Sequence, residues 1–190
     1  MLLPFADGDV DAATAAILTN KLLQLAGGAV YDENGKAQIV HDQKLEVLDQ
    51  LIEEANGQPV LVFYNYKHEL DRLQARYPQA VHVKEENVVK RWNAKEIPIL
   101  LANPASAGHG LNLQFGGHIA IWYSPTWNLE FFQQANKRLH RRGQTEPVLI
   151  HTLAAKGTID ERIYDIVLRN KEAGQNALLE AVKARIKEVT

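Results

Sequence analysis

Four apolar runs of strand length punctuate this chain: Val60 to Tyr64, Ile97 to Ala102, His118 to Tyr123 and Val148 to Leu153. Ala80-Val81-His82-Val83 is a shorter fifth. Between them the apolar positions move to helical spacing. Leu70 and Leu73 share one face of Tyr66 to Tyr77, and further helices are expected over Glu86 to Lys95 and from about Leu129 to Leu139. Continuous apolar strands alternating with helices predict crossover connections and a mainly parallel sheet covered on both faces. Right-handed crossovers make that a doubly wound α/β sheet. Ahead of it, Asp9 to Leu25 carries alanines and leucines at helical spacing and stops at Gly27-Gly28, and a hairpin-like piece turns at Asp32-Glu33-Asn34-Gly35. His41-Asp42 opens a helix through Leu45, Leu48, Leu51 and Ile52 that ends at Asn56-Gly57 and Pro59. From Thr158 onward the pattern is one long amphipathic helix interrupted near Gly174. Its Ile159, Ile163, Ile166 and Val167 are expected to pack on the domain, leaving Leu178 onward as a tail.

In such sheets ligands meet the loops at the carboxyl ends of strands. Tyr64-Asn65-Tyr66, Asn103 to Asn112 and Ser124 to Asn128 each follow a strand, so three chemically rich segments are expected on one rim. With 190 residues and 46% hydrophobic content the chain can bury one core with a helical appendage. The formal net charge of −2 gives no global field for a polyanion, so any such site must be local. Lys137, Arg138, His140, Arg141 and Arg142 form the densest basic cluster. Arginines three apart at a helix end fork onto phosphate oxygens through paired donors. There is no cysteine, so disulfides and thiolate metal sites are excluded. None of the seven histidines has the spacing of a helical zinc site, so no metal is expected on this chain. The chain has neither a signal-like start nor an apolar stretch near ~18 residues, which reads as a soluble, unexported, cytoplasmic protein without a membrane partner.

Asn103 to Leu113 is rich in small residues that let backbone amides approach a phosphate. Gly108-His109-Gly110 lacks the third glycine of a dinucleotide fingerprint, because Leu113 stands there. Pro104-Ala105-Ser106-Ala107-Gly108 is similar to a nucleophile elbow; a hydrolase would need Ser106 beside a histidine oriented by an acid, and His151, on the Val148-to-Leu153 strand, is not in the usual loop placement. No phosphate loop occurs: Gly35-Lys36 is followed by Ala37. The chain therefore cannot by itself cradle ATP and magnesium in the phosphate-loop manner.

Gly110-Leu111-Asn112-Leu113, Trp127-Asn128, Gln134-Ala135 with Arg138, His140-Arg141 and Gly143-Gln144, and Ala155 to Glu161 occur in that order. The set resembles the second RecA-like domain of Swi/Snf-type superfamily 2 DNA translocases. The resemblance runs from about His41 to Arg169, and the lead-in with Gly27 to Asp32 looks like the phage and prophage branch. It implies a lead-in over 1–40, a helicase C-terminal RecA-like domain over 41–169 and a helical extension over 170–190. By position, Arg141 and Arg138 would be catalytic arginines, with Arg141 the arginine finger on the γ-phosphate of ATP. Gln134, Gly108, Gly110 and Asn112 would serve the nucleotide cleft, and Tyr64, Asn65, Lys67, Trp127 and Asn128 the nucleic-acid track. ATP and Mg2+ would be held mainly by an amino-terminal RecA-like partner domain, and the polyanion would be DNA, duplex in this family. Leu129 stands where the family commonly has proline, and Lys137 where it commonly has an acid. An RNA helicase half and a non-enzymatic nucleic-acid or protein-interaction module are the alternatives.

Overall fold

Val60-Leu61-Val62-Phe63, Ile99 to Ala102 and Ile119 to Trp122 are buried along their whole length, as strands covered on both faces must be. The protein is described by a computed structural model over residues 12–107 and 110–168. In chain order it runs α1 (Ala12–Ala26), β1 (Ala29–Tyr31), β2 (Ala37–Ile39), α2 (Gln43–Glu54), β3 (Val60–Phe63), α3 (Lys67–Arg76) and β4 (Val81–His82). It continues through α4 (Val88–Asn93), β5 (Ile99–Ala102), α5 (Pro104–Ala107), β6 (Ile119–Trp122), α6 (Leu129–Asn136), β7 (Leu149–Thr152) and α7 (Ile159–Leu168). Strands β1 and β2 form an antiparallel hairpin. The other five form one parallel sheet in the order β4-β5-β3-β6-β7.

Alternation along the central strands sorts the side chains into two cores. Leu61, Phe63, Leu100, Ala102, Ala120 and Trp122 face α4, α6 and α7, meeting Trp92, Phe132, Ala135, Ile159 and Ile163. Val60, Val62, Tyr64, Leu101, Ile121 and Tyr123 face the opposite way, onto Leu45 and Leu48 of α2 and Leu73 of α3. The connection from β3 runs toward β4, whereas those from β4, β5 and β6 run the other way across the sheet. Right-handed crossovers in opposing directions place their helices on opposite faces, which accounts for the two layers.

Differences from the expected elements have local causes. The strand over Ala80 to Val83 shortens to the two residues of β4, at the sheet edge. Helix α6 ends at Asn136 rather than Leu139. There Arg138 N–H donates to Ala135 O and Leu139 N–H to Asn136 O, i to i−3 bonds that tighten the chain into turns. Strand β7 is less covered than the other long strands, with Leu149 and Ile150 exposed. Ile159 and Ile163 pack as expected. The side chains of Ile166 and Val167, the start of the lead-in helix before Ala12, and everything beyond Leu168 lie outside the described residues.

Polar groups fasten the lead-in to the sheet domain. Arg72 Nη1 donates to Gly27 O at 2.8 Å, and its Nη2 to His41 O and Asp42 Oδ1, both at 2.7 Å. His68, buried, lies edge-on to Tyr31 and stacked on Tyr66, with ring centroids 5.0 and 5.3 Å away. Lys44 and Asp160 form an ion pair at 2.5 Å with side chains only 5% and 0% exposed, joining α2 to the first turn of α7.

Removing one partner of such a pair leaves an uncompensated buried charge. Lys44→Met is expected to lower unfolding stability by about 3–5 kcal/mol in urea titrations, with partial recovery when Asp160→Asn is added. Burial, reinforced by Arg72, pushes His68 down from 6.5 to about 4. The unfolded chain therefore takes up a proton before the folded one does. The contribution of His68 is complete above pH 6.5 and drains away as pH falls toward 4. His68→Phe is expected to lose less stability than the parent chain between pH 7 and 4.5, a difference on the order of 2 kcal/mol in paired urea titrations.

Candidate functional site

Strand β3 sends its connection to one face while its neighbours β5 and β6 send theirs to the other, so the crevice beyond their carboxyl ends is the topological switch point. Three loops meet there and are stitched together. Asn65 Nδ2 donates to Pro125 O at 2.6 Å, and Asn103 Nδ2 donates to Tyr64 O and Asn65 O, both at 3.3 Å. Beneath them lies Glu69, in the first turn of α3 and fully buried. Its Oε2 accepts Asn65 N–H at 2.9 Å, Tyr66 N–H at 3.1 Å and the Ser124 hydroxyl at 2.9 Å. Burial pushes the Glu69 carboxyl above its ordinary value, against the opposing pull of these hydrogen bonds and of Lys44.

The expected nucleic-acid residues take different places on this rim. Trp127 is 48% exposed and Lys67, first residue of α3, is exposed, while Asn65 is half-buried. Asn128 caps α6 through its side-chain oxygen, which accepts Phe131 N–H at 3.0 Å. Tyr64 points into the core. It is 6% exposed, and its hydroxyl is bonded to His82 Nε2 at 2.8 Å. A cleft of about 380 Å³ opens between α1 and the rim, lined by Ile17, Asn20, Leu23, Tyr66, Pro125 and Trp127 among others.

The arginine cluster occupies the other end of the sheet. Gln144 Nε2 donates to Gln114 O at 2.8 Å and Gly117 O at 3.0 Å, and Trp92 Nε1 donates to Leu113 O at 2.8 Å. These bonds anchor the turn after α6 beside the segment that leads into β6. Arg141 is exposed there, and its Nη1 donates to Asn112 Oδ1; the Asn112 carbonyl accepts Asn93 Nδ2 at 2.9 Å. Arg138 is half-buried in the same turn. Gln134, back in α6, donates its amide to Glu130 Oε1 at 2.8 Å. Gly110 has φ +70° and, among the described residues, nothing within 4 Å of an added Cβ; Gly108 lies outside the described residues.

The expectation of one shared rim is thus met by Asn103 but not by Asn112, because the chain crosses from the strand ends to the strand beginnings between them. Ser106 lies within the short α5, where its N–H closes onto Asn103 O. His151 stands inside β7 rather than on a loop, and no hydrogen bond joins Ser106 to a histidine among the described residues. Glu69 is a site residue that the sequence reading passed over, while Asn103 and Ser124, which open two of the expected rim segments, carried no role of their own there. A signal for Glu69 existed. It is the third residue of α3, from which a glutamate reaches back to the N–H of the capping residue.

The family described as the helicase conserved C-terminal domain matches residues 43–143. Protein p41 of Acyrthosiphon pisum secondary endosymbiont phage 1 is 40% identical over 193 residues, covering 97% of this chain and 42% of that protein. The chromatin-remodeling ATPase INO80 of Mycosarcoma maydis is 32% identical over 170 residues, covering 80% of this chain and 9% of that ATPase. The chain therefore spans less than half the length of either relative. The crystal structure of the C-terminal part of the Fun30 ATPase domain superposes with a TM-score of 0.62 at 23% identity, covering 80% of this chain and 55% of that one, a likeness of fold. Among the described residues no helix is long and apolar enough to cross a membrane. The parallel sheet and the matched span agree, and the chain belongs to the helicase conserved C-terminal domain family.

Proposed function

We propose that this chain is the C-terminal half of an ATP-dependent DNA translocase or helicase of the phage-like branch, working with an amino-terminal RecA-like domain that carries the phosphate loop. ATP and Mg2+ would be held mainly by that partner. The observation that carries the reading is the contact of Arg141 with Asn112, which joins the two sequence segments assigned to the nucleotide cleft across 29 residues of chain. The exposed guanidinium is held at one nitrogen and mounted on a turn anchored by Gln144. That is a suitable mount for a cation that must meet a phosphate on another domain.

In this reading ATP sits between the two domains. Arg141, seconded by Arg138, stabilises the negative charge spread over the transferred phosphoryl group. Asn112 orients the finger, while Gln134 and the glycines at 108 and 110 shape the cleft wall. At the far end of the sheet Asn65, Lys67, Trp127 and Asn128 contribute to the DNA track. Tyr64 supports it from below through its bond to His82. Closure of the interdomain cleft then moves this track against its counterpart on the partner domain, and hydrolysis releases it.

The chain alone is expected to show negligible ATPase activity and weak DNA binding that fades with salt. Completed with a phosphate-loop domain, it should hydrolyse ATP in a DNA-stimulated manner, and Arg141→Ala should lower that kcat by about 10³-fold or more, read in a steady-state ATPase assay. Robust DNA-stimulated hydrolysis by the chain alone would overturn the half-site reading. Preference for RNA over duplex DNA in direct competition would reassign the polyanion.

A further inference from the structure

The chain leaving β3 has each of its backbone polar groups from Tyr64 N to Tyr66 N assigned. Tyr64 N–H donates to Ala102 O at 3.1 Å, and Tyr64 O and Asn65 O accept the Asn103 amide. The N–H groups of Asn65 and Tyr66 turn inward to Glu69 Oε2, which also takes the Ser124 hydroxyl. One oxygen thereby gathers donors from the loops after β3 and after β6. Hydrogen bonds to a carboxylate are the strong kind, and a buried carboxylate without them would be costly. The arrangement therefore holds the two loops in one geometry.

The rest of the carboxylate is accommodated as specifically. Glu69 Oε1 has no hydrogen-bond partner among the described residues, and it lies where a Cβ on Gly27 would come within 2.6 Å. Glycine at 27 makes room for it. Gly27 O is in turn held by Arg72 and by the Tyr123 hydroxyl at 3.1 Å, so the lead-in closes over the carboxylate and keeps water away. Lys44, paired with Asp160, supplies the nearby positive charge.

We propose that Glu69 is a positioning residue of the nucleic-acid rim: through Asn65 N–H, Tyr66 N–H and Ser124 it presets the spacing of the β3 and β6 loops so that Asn65, Lys67 and Trp127 meet a duplex backbone without first being ordered. Binding then avoids the entropy of fixing those loops. The inference rests on the nucleic-acid reading of this rim, and a separate variant tests that reading.

The test uses this chain and a fluorescently labelled DNA duplex in low-salt anisotropy titrations, at a temperature where each variant is folded by circular dichroism. Glu69→Met removes the acceptor at similar length and is expected to weaken binding about tenfold, equivalent to about 1.4 kcal/mol. Glu69→Gln keeps one carbonyl oxygen for the same donors and is expected to stay within about threefold of the parent chain, a rescue set by hydrogen-bond acceptance. Ser124→Ala cuts only the link to β6 and should fall between them, which keeps the test available if Glu69→Met fails to fold. Trp92→Phe loses the bond to Leu113 at the other end of the sheet and should leave DNA affinity unchanged. Equal losses for Trp92→Phe and the Glu69 or Ser124 variants would reduce Glu69 to a stability residue and overturn the inference. If Trp127→Ala weakens binding while folded Glu69→Met and Ser124→Ala do not, the positioning role fails and the rim reading stands. If Trp127→Ala and Lys67→Ala bind as the parent chain does, the rim reading itself fails.

Discussion

A parallel sheet buried on both faces can hold no polar side chain in its middle without a partner, so its chemistry is driven to its two ends. Val60 to Phe63, Ile99 to Ala102 and Ile119 to Trp122 meet this constraint with apolar side chains only. The backbone is satisfied within the ladder, and the first polar groups appear where the ladder stops. At the carboxyl ends these are Asn65, Asn103 and Ser124. At the amino ends they are the carbonyls of Gln114 and Gly117, taken up by Gln144. The division between an arginine turn at one end and an aromatic, amide-rich rim at the other follows from how the sheet is filled.

Between those ends, rigidity comes from packing that tolerates little change. Gly116 and Gly117 lie so close to Trp92 that an added Cβ would come within 2.4 Å and 3.0 Å of its ring atoms. The indole is fully buried and donates its N–H to Leu113 O. The segment that carries Asn112 into β6 is thereby held against α4, giving Arg141 a firm partner. On the other face, Asp49 accepts both Arg76 and the Tyr77 hydroxyl, which ties α2 to the end of α3 and holds the Asp49 carboxyl below its ordinary range, chiefly through Arg76.

Most of the architecture was legible because the apolar runs are long and cleanly separated. The central strands and the helices before β3 and after β6 follow from the apolar pattern alone, and the hairpin turn at Asp32 to Gly35 from its turn-forming residues. Sequence spacing could not reveal how a loop travels. Asn103 and Asn112 are nine positions apart in a single glycine-rich stretch, yet they serve opposite ends of the sheet. Nor does an aromatic at a strand end announce which face it takes: Tyr64 falls on the buried side of the alternation, whereas Trp127, beyond the ladder, stays half exposed. The polar residues beneath the rim escaped notice for a related reason. A glutamate early in a helix is ordinary in sequence, and only the fold brings Ser124 from 55 residues away to share its oxygen.

Strand β7 carries a different consequence. Among the described residues it ends the sheet and pairs only with β6, and it leaves Leu149 and Ile150 exposed on opposite faces. An apolar terminal strand of this kind is a template onto which another extended chain can add. Glu146 and Pro147, a charge and a residue without an N–H, stand ahead of it with Val148 between, and they limit how far such pairing can spread toward the arginine turn. A charged side chain at Ile150 is the kind of substitution that blunts such an edge, and it lies away from both ends of the sheet.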